Sequence, residues 1–243
     1  LAEEIEQLSI AAHQSDPETV ELYRAGQVDF NQPTHRHWAK LEWLLARRRT
    51  LVGRMIQSGI IPDLVPKSAV HKMRMEVDIA FPQSARKTLL APGMFVECRL
   101  TNKAPVIQAA IMHKEKLKYT IVVSDLDDPD HVTRSYRERC HLLMTNVELS
   151  RNEPLVDLSK ESVETVLSYI PPHPAEGTKQ HRYAVAFYLQ PENGTKSVSI
   201  SEPSISSEDG RIIDSAALAT KHELDLVGAT YFTTMYDSSV DAV

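Results

Sequence analysis

From Val77 onward the chain breaks into short alternating or β-branched runs separated by turn residues, and this texture constrains the fold most. Met94–Leu100, Val106–Ile111, Tyr119–Ser124, His141–Val147 and Tyr183–Leu189 each have strand length and composition. Later helical signals are confined to Ser159–Ser168, a marginal stretch, and Ser215–Leu224. Many short strands with few helices predict a mainly antiparallel β unit of sandwich or open-barrel type over 78–243.

The first 77 residues read differently. Ala2–Ala12 has acids in its first turn, which suits a helix N-terminus. Asp16-Pro17 opens a second turn or helix running toward Tyr23, and 26–33 reads as linker. Thr34 is placed to cap a longer helix in which Trp38, Leu41, Leu45, Val52, Met55 and Ile56 recur at three- and four-residue spacing, ending near Gly59. On this reading Trp38 and Trp43 are packing residues. Two prolines in Ile60-Ile61-Pro62-Asp63-Leu64-Val65-Pro66 predict an extended linker. The expected organisation is therefore a helical, basic-centred extension at 1–77 followed by the β unit.

Charge divides the chain unevenly. Residues 1–33 hold seven acids and one base, 34–90 eleven bases and four acids, and the remainder fifteen bases and twenty-two acids. The central basic block, with Arg36, Lys40, Arg47, Arg48, Arg49 and Arg54 on one helix, is a candidate polyanion-facing strip; a solvated face balanced by the acidic parts is the alternative. A net charge of −6 argues against a freestanding nucleic-acid binder, though not against a subunit of an RNA-containing machine. The longest apolar runs, such as Tyr119–Val123, are far too short to span a bilayer. Two cysteines, Cys98 and Cys140, make no disulfide framework, which fits a reducing compartment. The chain opens on Leu1 rather than Met, as expected of a processed or trimmed chain.

Ionisable residues gather at strand ends. Asp125 and Asp127 follow one strand, His141 opens a second, and His181 and Tyr183 open a third on a shared face. If these strands are neighbours, the set can hold a small anion or can form a buried hydrogen-bond network that fixes the loops; spacing alone favours the network. No P-loop, dinucleotide loop, HExxH or CxxC spacing occurs, so neither a cofactor nor a metal is expected. Cys140 and His141 face opposite sides of a strand and make no nucleophile pair. The Asn193-Gly194-Thr195 sequon is a common accident. An enzyme is not expected.

These strand ends resemble the phosphatidylethanolamine-binding protein family. Tyr119-Thr-Ile-Val-Val-Ser-Asp125-Leu-Asp127-Asp-Pro129 is similar to that family's strand and DPDxP signature. Tyr136-Arg137-Glu138-Arg139-Cys140-His141 is similar to its YREWxH segment, and the stretch from Tyr169 through Gly177-Thr178 to His181-Arg182-Tyr183 to its YxGPxPPxGTGxHRY segment. The blocks agree in order and spacing, and the tail carrying Gly228 and Tyr231 resembles the family's C-terminal strand. The resemblance covers about 78–243. It implies a small anion pocket built from Asp125, His141, His181 and Tyr183, with Asp127 beside it. Leu126, Arg139, Cys140, Pro171, His173 and Lys179 depart from the family pattern. Loss of loop glycines restricts close backbone approach, and Pro171 removes an N–H donor. The resemblance so altered implies a vestigial pocket and makes a lipid ligand doubtful.

A tryptophan-bearing basic helix and a proline-bounded linker ahead of such a unit are similar to the branch of the family found in the large subunit of the mitochondrial ribosome, in its fungal form. That similarity implies a structural ribosomal role in the mitochondrial matrix. The implied partners are large-subunit rRNA and neighbouring ribosomal proteins, met through Arg36, Lys40, Arg47, Arg48, Arg49 and Arg54. The alternative implied by the family is a soluble phospholipid- or anion-binding protein, or a peptidase inhibitor.

Overall fold

The computed structural model of the chain describes residues 2–82, 89–156, 164–200 and 210–238, and within them the strand-forming runs pair into two sheets. The strands are β1 (Val77–Ala80), β2 (Met94–Phe95), β3 (Val106–Ala109), β4 (Leu117–Asp130), β5 (Ser135–Leu149), β6 (Leu155–Val156), β7 (Glu164–Leu167), β8 (His181–Leu189), β9 (Ile212–Ile213) and β10 (Asp225–Thr234). The small sheet has the order β1-β3-β6 and is antiparallel. The large sheet has the order β2-β10-β8-β4-β5-β7, with β9 also on β5. Its pairs are antiparallel except β2 on β10, which run parallel.

The centre of the large sheet is buried on both faces, and β8 shows how. Ala184, Ala186 and Tyr188 join one hydrophobic cluster, while Tyr183, Val185, Phe187 and Leu189 join another. The alternation follows from the period of two along a strand. The second cluster fills the space against the small sheet, through Ile79 and Ile107. The first faces the N-terminal helices, through Trp43, Leu51, Met55, Ile60 and Val65. The basic extension therefore covers one face of the sheet together with Val198, Ile213 and Leu218 from the C-terminal part.

Helices α1 (Ala2–His13) and α2 (Pro17–Arg24) lie where expected, and Asp16 caps α2 by accepting from the Thr19 N–H. The third helix, α3, runs continuously over residues 33–57. It begins at Pro33, whose missing N–H suits the first helical position, so Gln32 rather than Thr34 occupies the cap. Its apolar stripe also differs from expectation. Trp43, Leu51 and Met55 are buried, whereas Leu41, Leu45 and Ile56 are 40, 68 and 58% exposed. A π-helical turn at Trp43–Arg47 is the reason: the wider turn shifts the helical phase, so regular spacing read across it selects the wrong face.

Gly59, in the left-handed conformation at φ +76°, ends the helix where the sequence placed its end. The following segment is not an extended linker. Ile60–Asp63 forms a short turn with a cis Ile61-Pro62 bond, and Ile60, Ile61, Leu64 and Val65 are buried in the first cluster. Four large apolar side chains in six residues outweigh the prolines.

Three further expectations change. Met94–Leu100 keeps only Met94–Phe95 as strand, with a 3₁₀ turn at Cys98–Thr101. The turn anticipated at Asp128-Pro129 moves to 131–134, because β4 and β5 stay paired out to Asp130 and Ser135. In the stretch Ser159–Ser168, Glu164–Leu167 is a strand on β5, as suits the β-branched Thr165 and Val166, while 159–163 lie outside the described residues. The C-terminal helix is present at Ser215–Lys221.

Candidate functional site

The strand-end cluster assembles from three adjacent strands. β8 pairs with β4 so that Tyr183 sits opposite Asp125, and His181 stands two residues before Tyr183 on the same face. His141 reaches that face by a β-bulge. Val123 pairs with Leu142 and Ser124 with Cys140, which leaves His141 as the extra residue on β5. Without the bulge, simple alternation would set His141 and Leu142 on opposite faces. With it, His141 lies edge-on to the Tyr183 ring at a centroid distance of 5.1 Å, and Cys140 turns into the opposite core. Burial pushes the Cys140 thiol up to about 12.

The Asp125 carboxylate lies 2.7 Å from His181 Nδ1, and His181 Nε2 lies 2.9 Å from the Thr178 hydroxyl. The other Asp125 oxygen accepts from the Asp127 N–H at 2.8 Å. His141 Nδ1 donates to the Ile170 carbonyl at 2.9 Å, while its Nε2 is buried with no partner. Burial, ahead of any charge, holds the His141 imidazole below its ordinary value and so neutral. The Tyr183 hydroxyl is also buried without a partner, and burial followed by the nearby Asp125 charge pushes its ionisation far up. The Asp125 carboxylate and the His173 backbone are its near neighbours, yet neither completes a hydrogen bond. Tyr183 stacks on Phe232 at 5.4 Å.

Four of the five expected pocket residues thus come together: Asp125, His141, His181 and Tyr183. All four are at most 3% exposed. A cleft of about 830 Å³ opens beside them and is walled in part by Thr178 and His181, but Asp125, His141 and Tyr183 do not line it. Chemically, the cluster presents one neutral acceptor, one neutral donor and a carboxylate–imidazole pair, of which His181 alone borders the cleft.

Asp127 turns elsewhere. Its carboxylate accepts from the Arg182 backbone N–H at 2.8 Å, from Nε at 2.9 Å and from Nη2 at 2.7 Å. Arg182 Nη1 continues to Asp63 at 2.8 Å and to the Ser58 carbonyl at 2.9 Å, both just beyond α3. Sequence reasoning assigned Arg182 no role. The available signal was its parity: it alternates with His181 and Tyr183 and must point away from them, toward the side the helices cover.

The six cations of α3 do not form one free strip. Arg36 donates to the Phe30 and Asn31 carbonyls and pairs with Glu6 at 2.6 Å. Arg47 bridges Glu42 at 2.8 Å and Glu76 at 2.9 Å. Arg48 donates to the Val70 carbonyl and Arg54 to that of Pro92. Among the described residues, Lys40 and Arg49 make no such bond. Trp38 packs on Tyr23 and His35, and Trp43 is buried, so both tryptophans serve packing as expected.

Comparison with known proteins bears on this geometry. The sequence profile of the family described as phosphatidylethanolamine-binding protein matches residues 86–232. Large ribosomal subunit protein mL38 of Schizosaccharomyces pombe is 26% identical over 243 residues, covering 99% of this chain and 74% of its own. Among solved structures, a carboxypeptidase Y inhibitor in complex with its cognate proteinase superposes with a TM-score of 0.61 at 20% identity, over 78% of this chain and 96% of that one. The phosphatidylethanolamine-binding protein from Plasmodium vivax gives a TM-score of 0.61 at 18% identity, over 76% and 97%. At these identities the structures speak for the fold.

Proposed function

Because the chain belongs to the phosphatidylethanolamine-binding protein family, we propose that it is a non-enzymatic structural subunit of the mitochondrial large ribosomal subunit, in the matrix. The observation that carries the reading is the reach of the ribosomal relative. Its similarity spans 99% of this chain, whereas the family profile begins only at residue 86. The helical extension is thus part of what the two chains share.

In this reading residues 1–77 are the attachment arm and 78–243 the family unit. The arm meets rRNA phosphates and neighbouring ribosomal proteins. Lys40 and Arg49 are its foremost RNA contacts, since Arg36, Arg47, Arg48 and Arg54 are already held within the chain. Asp125, His141, His181 and Tyr183 act as a retained anion pocket turned to scaffolding, and their burial supports this over lipid binding. A neutral His141 with its one N–H committed to Ile170 offers an anion nothing.

Sedimentation of a mitochondrial lysate tests the proposal. The chain should travel with large subunits at moderate salt and leave them as salt rises. Finding it free of large subunits at moderate salt would end the reading.

A further inference from the structure

A second cavity lies where the arm meets the β unit, away from the strand-end cluster. It has a volume of about 290 Å³, near the lower end of ordinary small-molecule sites. Val28 and Phe30 come from the loop after α2, Trp43 from α3, Met75 from the segment before β1, and Ile111 and Met112 from the segment after β3. It therefore exists only when the arm is seated.

Two observations point to what it takes. The first is an unmet donor. Trp43 is 5% exposed, and its indole Nε1–H is buried without a hydrogen-bond partner. A buried donor left so is costly; Trp43 lines the cavity, and a small shift of its indole would let an acceptor there relieve the donor. The second is charge. Lys40, Arg47 and Arg74 line the cavity against one carboxylate, Glu76, which Arg47 already holds. The remaining polar lining is uncharged. His113 is kept neutral by burial, and the Tyr119 hydroxyl is pushed up to about 12 by the same cause. An apolar chamber with surplus positive charge and a free N–H suits an anion with a hydrocarbon body.

We propose that this cavity binds a small apolar carboxylate, with the hydrocarbon among Phe30, Met75 and Ile111, and the carboxylate accepting a hydrogen bond from Trp43 Nε1–H beside Lys40 and Arg74. Such a ligand binds only the docked arm and so stabilises it by mass action. The proposal does not rest on the ribosomal reading, although the two share Lys40.

The test uses the full chain and octanoate as probe, watching the two indole N–H resonances by NMR. The Trp43 signal is the one retained in Trp38→Phe, or, should that variant not fold, the one lost in Trp43→Phe. Octanoate should move the Trp43 signal to a saturating end point while the Trp38 signal stays. Octanol should bind about tenfold more weakly, and Arg74→Gln should weaken octanoate about fivefold. Ala39→Phe, which narrows the cavity, should abolish the shift. No saturable movement of the Trp43 signal overturns the proposal. So does equal binding of octanol and octanoate, which would mark an apolar gap with no recognition of the anion. If Ala39→Phe fails to fold, the Arg74→Gln and octanol comparisons decide.

Discussion

Arg182 gives Asp127 three hydrogen bonds, through its backbone N–H, Nε and Nη2, while its remaining Nη1 holds Asp63 and the Ser58 carbonyl beyond α3. One side chain therefore ties the strand end of the family pocket to the end of the basic helix. Both partners of the inner pair are partly buried, so loss of one leaves the other poorly solvated. Arg182→Ala should cost about 2 kcal/mol in urea unfolding and speed proteolysis within residues 57–66. Arg182→Lys should recover only part of the loss, because an ammonium cannot match the fork of Asp127. Unchanged stability and cleavage would show that the clasp contributes nothing.

Gly59 lies against the same guanidinium. At φ +76° a Cβ there would stand 2.8 Å from Arg182 Nη1 and 3.4 Å from Asp63 Oδ2. Gly59→Ala therefore carries left-handed backbone strain of about 1 kcal/mol and also displaces the clasp. A double-mutant cycle separates the two. In the Arg182→Ala background, Gly59→Ala should cost only the strain, about half its cost in the parent chain. Equal costs in both backgrounds would mean the guanidinium yields freely.

How far the sequence disclosed this architecture depends on which physical rule governs each part. The β8 face carrying His181 and Tyr183 was legible because a regular strand obeys a period of two. Asp125, His141, His181 and Tyr183 were legible as a set through the family motifs. How His141 joins them was not, since a bulge changes facing without leaving a local signature. The buried face of α3 was misread for a similar reason, as the π turn at Trp43–Arg47 breaks the helical period. Prolines dominated the reading of 60–66, although the apolar residues between them decide its burial. The six basic residues looked like one strip, because the carbonyls and carboxylates that hold Arg36, Arg48 and Arg54 are distant in sequence or in unmarked backbone.

Glu138 fastens the start of the C-terminal helix. Although the residue is half-buried as a whole, its carboxyl end is enclosed, accepting from the Ser124 hydroxyl at 2.6 Å, from the Ser215 N–H at 2.9 Å and from the Ser215 hydroxyl. Burial raises its ionisation above the ordinary carboxyl value. The folded state therefore keeps a proton that the unfolded chain releases near pH 4.5. This contribution is complete below that pH and is lost as pH rises through the raised value. Glu138→Ala should cost about 2 kcal/mol, with a larger difference at pH 5 than at pH 8. Urea midpoints of both chains at the two pH values check the sign; a difference that grows with pH refutes it.

His141 has the opposite dependence. Burial lowers its ionisation, so the unfolded chain takes up a proton near pH 6.5 while the folded chain does not. Its stabilising contribution is present above that pH and lost as pH falls through the window below it. His113, lowered by the same cause, acts in parallel. Between pH 7 and pH 5 the contribution of His141 should fall, so the parent should lose about 1 kcal/mol relative to His141→Phe over that window, while the His113 share remains and Glu138 acts in the opposite sense. Identical pH profiles for the two chains would place the acid sensitivity elsewhere.

Arg49 offers the cleanest separation of folding from attachment. It lies beside the exposed Leu45 on α3 and, among the described residues, neither it nor Lys40 makes a hydrogen bond or ion pair within the chain. Arg49→Glu and Lys40→Glu should therefore each leave unfolding within about 0.5 kcal/mol of the parent. If the helix faces rRNA, each should release the chain from large subunits at lower salt, and each lost phosphate contact should reduce the log–log salt slope by about one. Arg36→Glu is the contrasting case. Arg36 holds two backbone carbonyls and Glu6, so its reversal should unseat α1 and the loop after α2 before any question of RNA arises. Co-sedimentation at graded salt, read beside thermal unfolding, distinguishes the two. If the Lys40→Glu, Arg49→Glu double variant stays bound at the parent's salt limit, attachment runs through another surface, and the exposed acidic β unit facing basic ribosomal proteins becomes the place to look.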